Sequence, residues 1–296
     1  MQAASPVFII GEARSGSSLL YRTLQKHPSF RPKVQNLVET QAFAHLRRTF
    51  LFSLEYPDTF RRFMLDDPCA YAAFLRSIRP ARVASALAAP VNYVVRDPAM
   101  WWWLATLNHL VLRSYFFFAW QARGCARLVE KTPTNVVHLP KLARAFPAGR
   151  FLYIHRHPVD VFSSYRRRAA VDPGAGWADL TLERFCSVYR HRTSLALDWA
   201  GRHDNLHLVR YEQLTGDPPA AFRPLCAFLQ EPYVAEALEE PAPNPDRWPV
   251  DRHLWGGIVQ QTKQWRDYLS DTEAAALQER LAPVMAALGH QPYPAS

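Results

Sequence analysis

Val7-Phe8-Ile9-Ile10, entered from Pro6, is a short unbroken apolar run, the pattern of a strand buried on both faces of a parallel sheet. Gly11 to Gly16 then turns, and Ser17 to Leu24 carries apolar residues at helical spacing. The opening of the chain therefore reads strand, glycine loop, helix. A second strand is predicted near Arg31 to Leu37, followed by aromatic-rich helical material from about 40 to 126. Arg127 to Glu130 predicts a further short strand, Val136 to Phe146 a helix and Arg150 to His155 a buried strand. Pro158 suits the first turn of a helix after that strand. A long amphipathic helix over about 180–201 leads into a strand at Asn205 to Arg210, and a last helix spans about 271–288. Glu231 to Gly257 is rich in proline and reads as a mobile loop. Strands alternating with helices predict an α/β fold with a parallel sheet. There is no internal repeat, and the expectation is one domain over 1–296 with a largely helical insert at about 42–124.

Composition narrows the class. With 49% hydrophobic and 21% charged residues over 296 positions, the chain has the makeup of a globular protein with a large core. Cys69, Cys125, Cys186 and Cys226 stand far apart, with no CxxC pair and no Cys/His cluster at ligand spacing. Neither structural zinc nor a disulfide framework is expected, and a reducing compartment fits. The apolar run at the start lacks a basic flank and is too short for a signal or membrane segment, so no transmembrane segment and a cytoplasmic location are expected.

A net charge of +9, from 35 Lys+Arg against 26 Asp+Glu, calls for an anionic partner without choosing among nucleic acid, a membrane surface and a small polyanion. No basic low-complexity arm or stacked-aromatic signature points to nucleic acid. Arg166-Arg167-Arg168 reads as a solvated helix face. Lysine is scarce, present only as Lys26, Lys33, Lys131, Lys141 and Lys263.

Gly11-Glu12-Ala13-Arg14-Ser15-Gly16-Ser17-Ser18 lies between the first strand and its helix. A loop there aims several backbone N–H groups and a helix N-terminus at one spot, which makes an anion site. The spacing is that of a phosphate-binding loop, yet Ser17 stands where a triphosphatase has its lysine. The cation sits instead at Arg14, in mid-loop. Losing that lysine argues against triphosphate chemistry. The bland alternative, a structural turn between strand and helix, is weakened by Arg14 and the two hydroxyls.

Arg156-His157-Pro158-Val159-Asp160-Val161-Phe162-Ser163-Ser164 also follows a strand. A triphosphatase strand often ends here in a magnesium-binding carboxylate, whereas this one ends in His155-Arg156 and suits an anion. Arg156 and Ser164 are eight residues apart, so they share one phosphate only if the chain bends tightly after the strand. Two anion sites at the carboxyl ends of parallel strands place both where such sheets bind ligands.

With these two segments the chain resembles the PAPS-dependent sulfotransferase superfamily, where PAPS is 3′-phosphoadenosine-5′-phosphosulfate. In that family a PRSGSS or PKSGTT loop binds the 5′-phosphosulfate and an RxPxDxxxS segment binds the 3′-phosphate. Here they correspond to Ala13-Arg14-Ser15-Gly16-Ser17-Ser18 and to Arg156 through Ser164, with Ala13 in place of the usual proline. Glu130-Lys131-Thr132-Pro133, Arg210-Tyr211-Glu212-Gln213-Leu214 and Lys263-Gln264-Trp265 extend the likeness to about 7–265. The resemblance implies a three-layer α/β fold like that of P-loop NTPases. It also implies PAPS as co-substrate, no metal, and transfer of a sulfuryl group to a small or lipid-like hydroxyl acceptor.

Site roles follow from the same likeness. Glu39 resembles a catalytic base, against the plainer reading of a carboxylate at a helix start beside Thr40. Pro133 stands where one branch of the family carries its catalytic histidine, which favours Glu39 while leaving His45 and His109 open. Lys131 is implied at the bridging oxygen or the sulfuryl group, Tyr211 near the adenine or 3′-phosphate, and Lys263 closing over the nucleotide. Plainer readings are a Lys131–Glu130 pair, packing for Tyr211 and packing for Trp265.

Asp97 to Trp120 concentrates Trp101-Trp102-Trp103 and Phe116-Phe117-Phe118, which read as core or as the lining of an apolar acceptor pocket. Scattered cations in the insert disfavour a sulfated polysaccharide. Two rivals remain: a small-molecule kinase sharing the fold, and a catalytically silent nucleotide-binding protein.

Overall fold

The computed structural model describes residues 5–32, 124–172, 174–238 and 265–294, with 258 and scattered helical positions between 110 and 120. The chain divides into two compact units, Met1–Thr40 with Trp120–Ser296, and Gln41–Ala119. The first holds the sheet. The second lies almost wholly outside the described residues; at its few described positions Phe116 is buried and Phe117 half exposed.

Four parallel strands form the sheet: β1 (Val7–Gly11), β2 (Val129–Lys131), β3 (Arg150–His155) and β4 (Leu206–Arg210), in the order β2-β1-β3-β4. Their apolar runs alternate between two buried faces. Val7, Ile9, Val129, Leu152, Ile154 and Val209 pack with Leu20 and Leu24 of α1 (Ser17–Lys26) and with Phe222, Leu225 and Leu229 of α6 (Pro218–Leu229). On the other face Phe8 stacks on Phe151 and meets Phe146 at a tilt. Tyr153 there meets Thr193 of α4 (Leu182–Ala200), their hydroxyls 2.9 Å apart. Helices α3 (Pro158–Val171), α4 and α7 (Asp271–Ala287) share the core cluster on that side, built on Phe162, Phe185, Tyr189, Leu277 and Leu281. The fold is thus α/β, with helices flanking a central parallel sheet as in P-loop proteins.

The remaining pieces are a 3₁₀ turn at Pro133–His138 leading into α2 (Leu139–Ala145), and α5 (Tyr211–Gly216) directly after β4. The single helix expected over Val136 to Phe146 is split because proline at the start of each part supplies no N–H for a continuous ladder. The strand expected at 127–130 begins two residues later. Arg31 and Pro32 are irregular, and the rest of the strand expected at 31–37 falls outside the described residues. Helix α6 was not legible from periodicity, since Pro218, Pro219 and Pro224 interrupt the pattern; the first two occupy the first turn, where no N–H is needed, and α5, at six residues, is too short to show a period.

Parallel pairing brings all four carboxyl ends to one edge. Gly11 pairs with Ile154, and His155 pairs with Arg210, while Ile9 is opposite Lys131. The glycine loop, Lys131, Arg156 and Tyr211 therefore leave the sheet on the same side, which is the ligand edge of such sheets.

Candidate active site

The loop after β1 bends through two positive-φ residues before α1, Arg14 at +68° and Gly16 at +98°. Gly16 caps α1 with no side chain bonded to the first-turn N–H groups, so those donors face the loop. A Cβ on Gly16 would lie 2.3 Å from the Tyr211 ring, so only glycine lets the loop pass this close. Ser15 Oγ is buried and has no hydrogen-bond partner among the described residues. An unspent buried donor beside a helix N-terminus suits an oxyanion.

Arg14 crosses to the second motif. Its Nε donates to Ser164 Oγ at 3.1 Å, joining residues 150 positions apart. Ser164 is buried on α3. Arg156, 6% exposed, lies with its guanidinium 4.4 Å from the centroid of the Tyr211 ring. The carbonyl of Arg156 accepts from Tyr189 Oη at 2.9 Å, and one guanidinium nitrogen pairs with Asp160 at 3.5 Å. Arg156 Nε has no hydrogen-bond partner among the described residues. The tight bend required after β3 is present: His157 caps α3, its Nδ1 accepting from the Val159 N–H, and helix begins at Pro158. Ser164 nevertheless bonds to Arg14 rather than to Arg156. On the third strand end, Lys131 is 3% exposed and its Nζ lies 3.4 Å from Ser18 Oγ at the start of α1.

Of the site residues expected from sequence, the structure thus assembles Arg14, Ser15, Gly16, Ser17, Ser18, Lys131, Arg156, Ser164 and Tyr211. Glu39, Lys263, His45 and His109 lie outside the described residues. The Arg166–Arg168 triplet of α3 is partly buried rather than a solvated face, with Arg166 paired to Glu273 of α7 at 3.3 Å and Arg168 to Asp172 at 2.6 Å.

Two supports of the site had no sequence signal. Glu12 is a buried carboxylate inside the anion loop, matched by Arg192 of α4, whose Nη1 donates to both of its oxygens at 2.6 and 2.8 Å. Tyr165 Oη adds a bond at 2.6 Å, and burial beside that carboxylate pushes the Tyr165 phenol up. The pairing cancels the charge that Glu12 would otherwise present to an anion. The second support is the segment after α7. His155 Nδ1 and His290 Nε2 are 3.0 Å apart, and Tyr293 stacks on His157 with ring centroids 3.9 Å apart. Burial pushes both His155 and His290 down to about 3, each reinforced by a neighbouring histidine. They are neutral rings and add nothing to the positive field. Among the described residues no cluster of three or more His, Cys, Asp or Glu side chains is arranged to hold a metal ion, and no helix is long and apolar enough to cross a membrane.

The model of the Sulfotransferase family matches residues 6–235. The chain belongs to the sulfotransferase family. Among characterised members, omega-hydroxy-beta-dihydromenaquinone-9 sulfotransferase Stf3 of Mycobacterium tuberculosis and of Mycobacterium bovis is 26% identical over 266 residues, covering 77% of this chain. The match spans 63% of that sulfotransferase, so the chain covers less than two thirds of its relative's length. Two solved sulfotransferases share the fold. The sulfotransferase domain from the curacin biosynthetic pathway superposes with a TM-score of 0.57 at 17% identity, over 99% of this chain and all of the other. A mouse sulfotransferase, SULT7A1, complexed with PAP gives 0.51 at 14% identity, over 97% of this chain and 87% of the other. The family match contains both anion motifs, Lys131 and Tyr211.

Proposed function

We propose that this sulfotransferase-family chain catalyses transfer of a sulfuryl group from PAPS to the hydroxyl of a small or lipid-like acceptor. The observation that carries the reading is the Arg14–Ser164 bond, which fuses two anion motifs from different strand ends into one site. A bisphosphorylated adenosine needs that arrangement: one cluster for the 5′ end, a second for the 3′-phosphate. The fit is supported by Ser15 Oγ and Arg156 Nε, buried polar atoms that have no hydrogen-bond partner among the described residues. It is also supported by the PAP complex of the mouse relative of the fold.

PAPS supplies an activated sulfuryl group whose bond to the 5′-phosphate breaks as the acceptor oxygen attacks. In this reading the loop N–H groups, Ser15, Ser17, Ser18 and Arg14 hold the 5′ end. Arg156 and Ser164 hold the 3′-phosphate, and Tyr211 sets the plane of the Arg156 guanidinium. Lys131 and Arg14 offset the negative charge that builds on the departing phosphate oxygen. Glu39 takes the acceptor proton, and Lys263 closes over the nucleotide. The acceptor class follows Stf3, whose name specifies a hydroxylated menaquinone derivative, together with the aromatic blocks of the insert. Buried thiols at Cys186 and Cys226, pushed up by burial, accord with a reducing, cytoplasmic setting.

Thermal melts test the core of the proposal. PAP should raise the melting temperature without magnesium, and ATP, lacking a 3′-phosphate, should raise it much less. Stronger stabilisation by Mg-ATP would instead establish the kinase reading. Transfer from sulfur-labelled PAPS to alkyl or aryl alcohols, compared with glycosaminoglycan fragments and tyrosine peptides, tests the acceptor; labelling of none of them points to the silent protein.

A further inference from the structure

The segment after α7 is tied to the end of β4 and to the RxPxDxxxS segment. Arg210 Nη1 donates to the Gly289 carbonyl at 3.1 Å, and His157 Nε2 lies 3.1 Å from the Gln291 carbonyl. The Tyr293 backbone is fixed to α7 by the Gln278 side chain, which accepts from its N–H at 2.6 Å and donates to its carbonyl at 3.4 Å. Held in this way, Tyr293 stacks on His157, and its Oη donates to Asp160 Oδ2 at 3.1 Å. The same Oδ2 is the atom that pairs with Arg156.

One carboxylate oxygen therefore serves a phenol and a guanidinium together. At 3.5 Å the Asp160–Arg156 pair is looser than a charge-assisted bond of about 2.8 Å. Asp160 is one turn along α3 from Arg156, close enough to close fully on the guanidinium and consume its charge. The phenol bond competes for Asp160 Oδ2, whereas Arg156 Nε stays without a hydrogen-bond partner among the described residues.

We infer that Tyr293 is a positioning residue for 3′-phosphate recognition, acting through Asp160 to keep Arg156 available. The inference rests on the reading of Arg156 as the 3′-phosphate contact. It assigns the segment after α7 a part in nucleotide selection, through a hydroxyl that never touches the nucleotide.

The test compares the affinity for PAP with that for adenosine 5′-phosphate, which lacks only the 3′-phosphate, using calorimetry on the full chain. Tyr293→Phe keeps the stacked ring and removes the hydroxyl. PAP affinity should fall roughly five- to tenfold, the worth of one buried hydrogen bond, with adenosine 5′-phosphate affinity unchanged. In the background of Asp160→Asn, which cannot draw in Arg156 as an ion, adding Tyr293→Phe should have no further effect on the ratio. A merely structural role would lower both affinities or the melting temperature and leave the ratio intact, and that result overturns the inference. Equal affinities in the unsubstituted protein would overturn the Arg156 reading, and the inference with it.

Discussion

Arg14 Nε and Ser164 Oγ, 3.1 Å apart, are the point where the two anion motifs become one site. Arg14 comes from the loop after β1 and holds a left-handed backbone; Ser164 comes from the second turn of α3. Each therefore has a separate means of failing.

Ser164→Ala should release the Arg14 side chain as well as remove a hydroxyl from the 3′ side. Affinities for PAP and for adenosine 5′-phosphate should both fall, by about 1 kcal/mol each. Arg156→Ala should behave differently, costing roughly 1.5–3 kcal/mol of PAP affinity and little of the monophosphate's. Calorimetric titration with the two nucleotides separates the patterns, and a monophosphate affinity untouched by Ser164→Ala would place Arg14 away from the 5′ end.

The strand ends carrying these residues were legible because a buried parallel strand leaves an unbroken apolar run. Val7 to Ile10 and Arg150 to His155 were placed to within a residue on that ground. Gly16 was legible as part of a loop, but its contact with Tyr211 joins residues far apart in sequence and has no local signature. Tyr211 is nearly buried, as its packing reading requires, with the Arg156 guanidinium over its ring. His290 to Tyr293 was silent because an irregular segment has no periodicity, and its docking depends on His155, His157, Asp160 and Gln278, gathered from β3, the start of α3 and α7. Glu12 looked like any polar loop residue. Its burial is decided by Arg192, supplied from the middle of a helix 180 positions later.

That ion pair makes the loop sensitive to a change outside the nucleotide's reach. Arg192→Met leaves the Glu12 carboxylate buried with, among the described residues, Tyr165 and the Ala13 N–H to hold it. Losing one partner of a buried pair costs about 3–5 kcal/mol, and denaturant unfolding should show a loss of that order. Adding Glu12→Gln removes the stranded charge and should restore much of it. Equal stabilities for the single and double variants would show that the Glu12 charge is not what Arg192 offsets.

Three buried histidines set an acid limit on the fold. His155 faces His290, Glu212 and Arg210; His157 faces Asp160, Tyr293, Glu212 and Arg210; His290 faces His157 and Arg210. Burial lowers all three, His155 and His290 to about 3. In the unfolded chain these groups bind protons below about 6.5, whereas in the folded chain His155 and His290 bind them only near 3 and His157 only below its ordinary value, so the unfolded state gains protons first. Stability should therefore fall as pH drops from about 6.5, by up to roughly 1.4 kcal/mol per pH unit for each histidine involved. His157 Nδ1 accepts from the Val159 N–H, so protonating it also removes the cap of α3. Melting curves between pH 5 and 7 read the slope, which His290→Gln should make shallower; an unchanged slope would mean that His290 is not among the groups that titrate on unfolding.

In the proposed mechanism Lys131 and Glu39 divide the chemical step between charge and proton, so their variants should separate from those that only bind. Lys131 ends β2 with its Nζ 3.4 Å from Ser18 Oγ, beside the helix start proposed to receive the 5′ end. At that place its charge is most useful when the phosphate oxygen departs, not when the nucleotide is at rest. Lys131→Met should lower kcat by about 10²–10³-fold while PAP affinity changes by less than about tenfold. Glu39→Gln keeps the side chain's size and removes the base, so PAPS binding should persist while turnover falls by about 10²–10⁴-fold. The two losses differ in their response to the acceptor. A more acidic phenol surrenders its proton without help and should recover much of the Glu39→Gln loss, yet little of the Lys131→Met loss, because the leaving group is the same for every acceptor. Steady-state rates across a series of phenols of graded acidity measure this. Recovery of Lys131→Met by acidic phenols would move the lysine to the acceptor side, and a fully active Glu39→Gln would pass the role of base to His45 or His109.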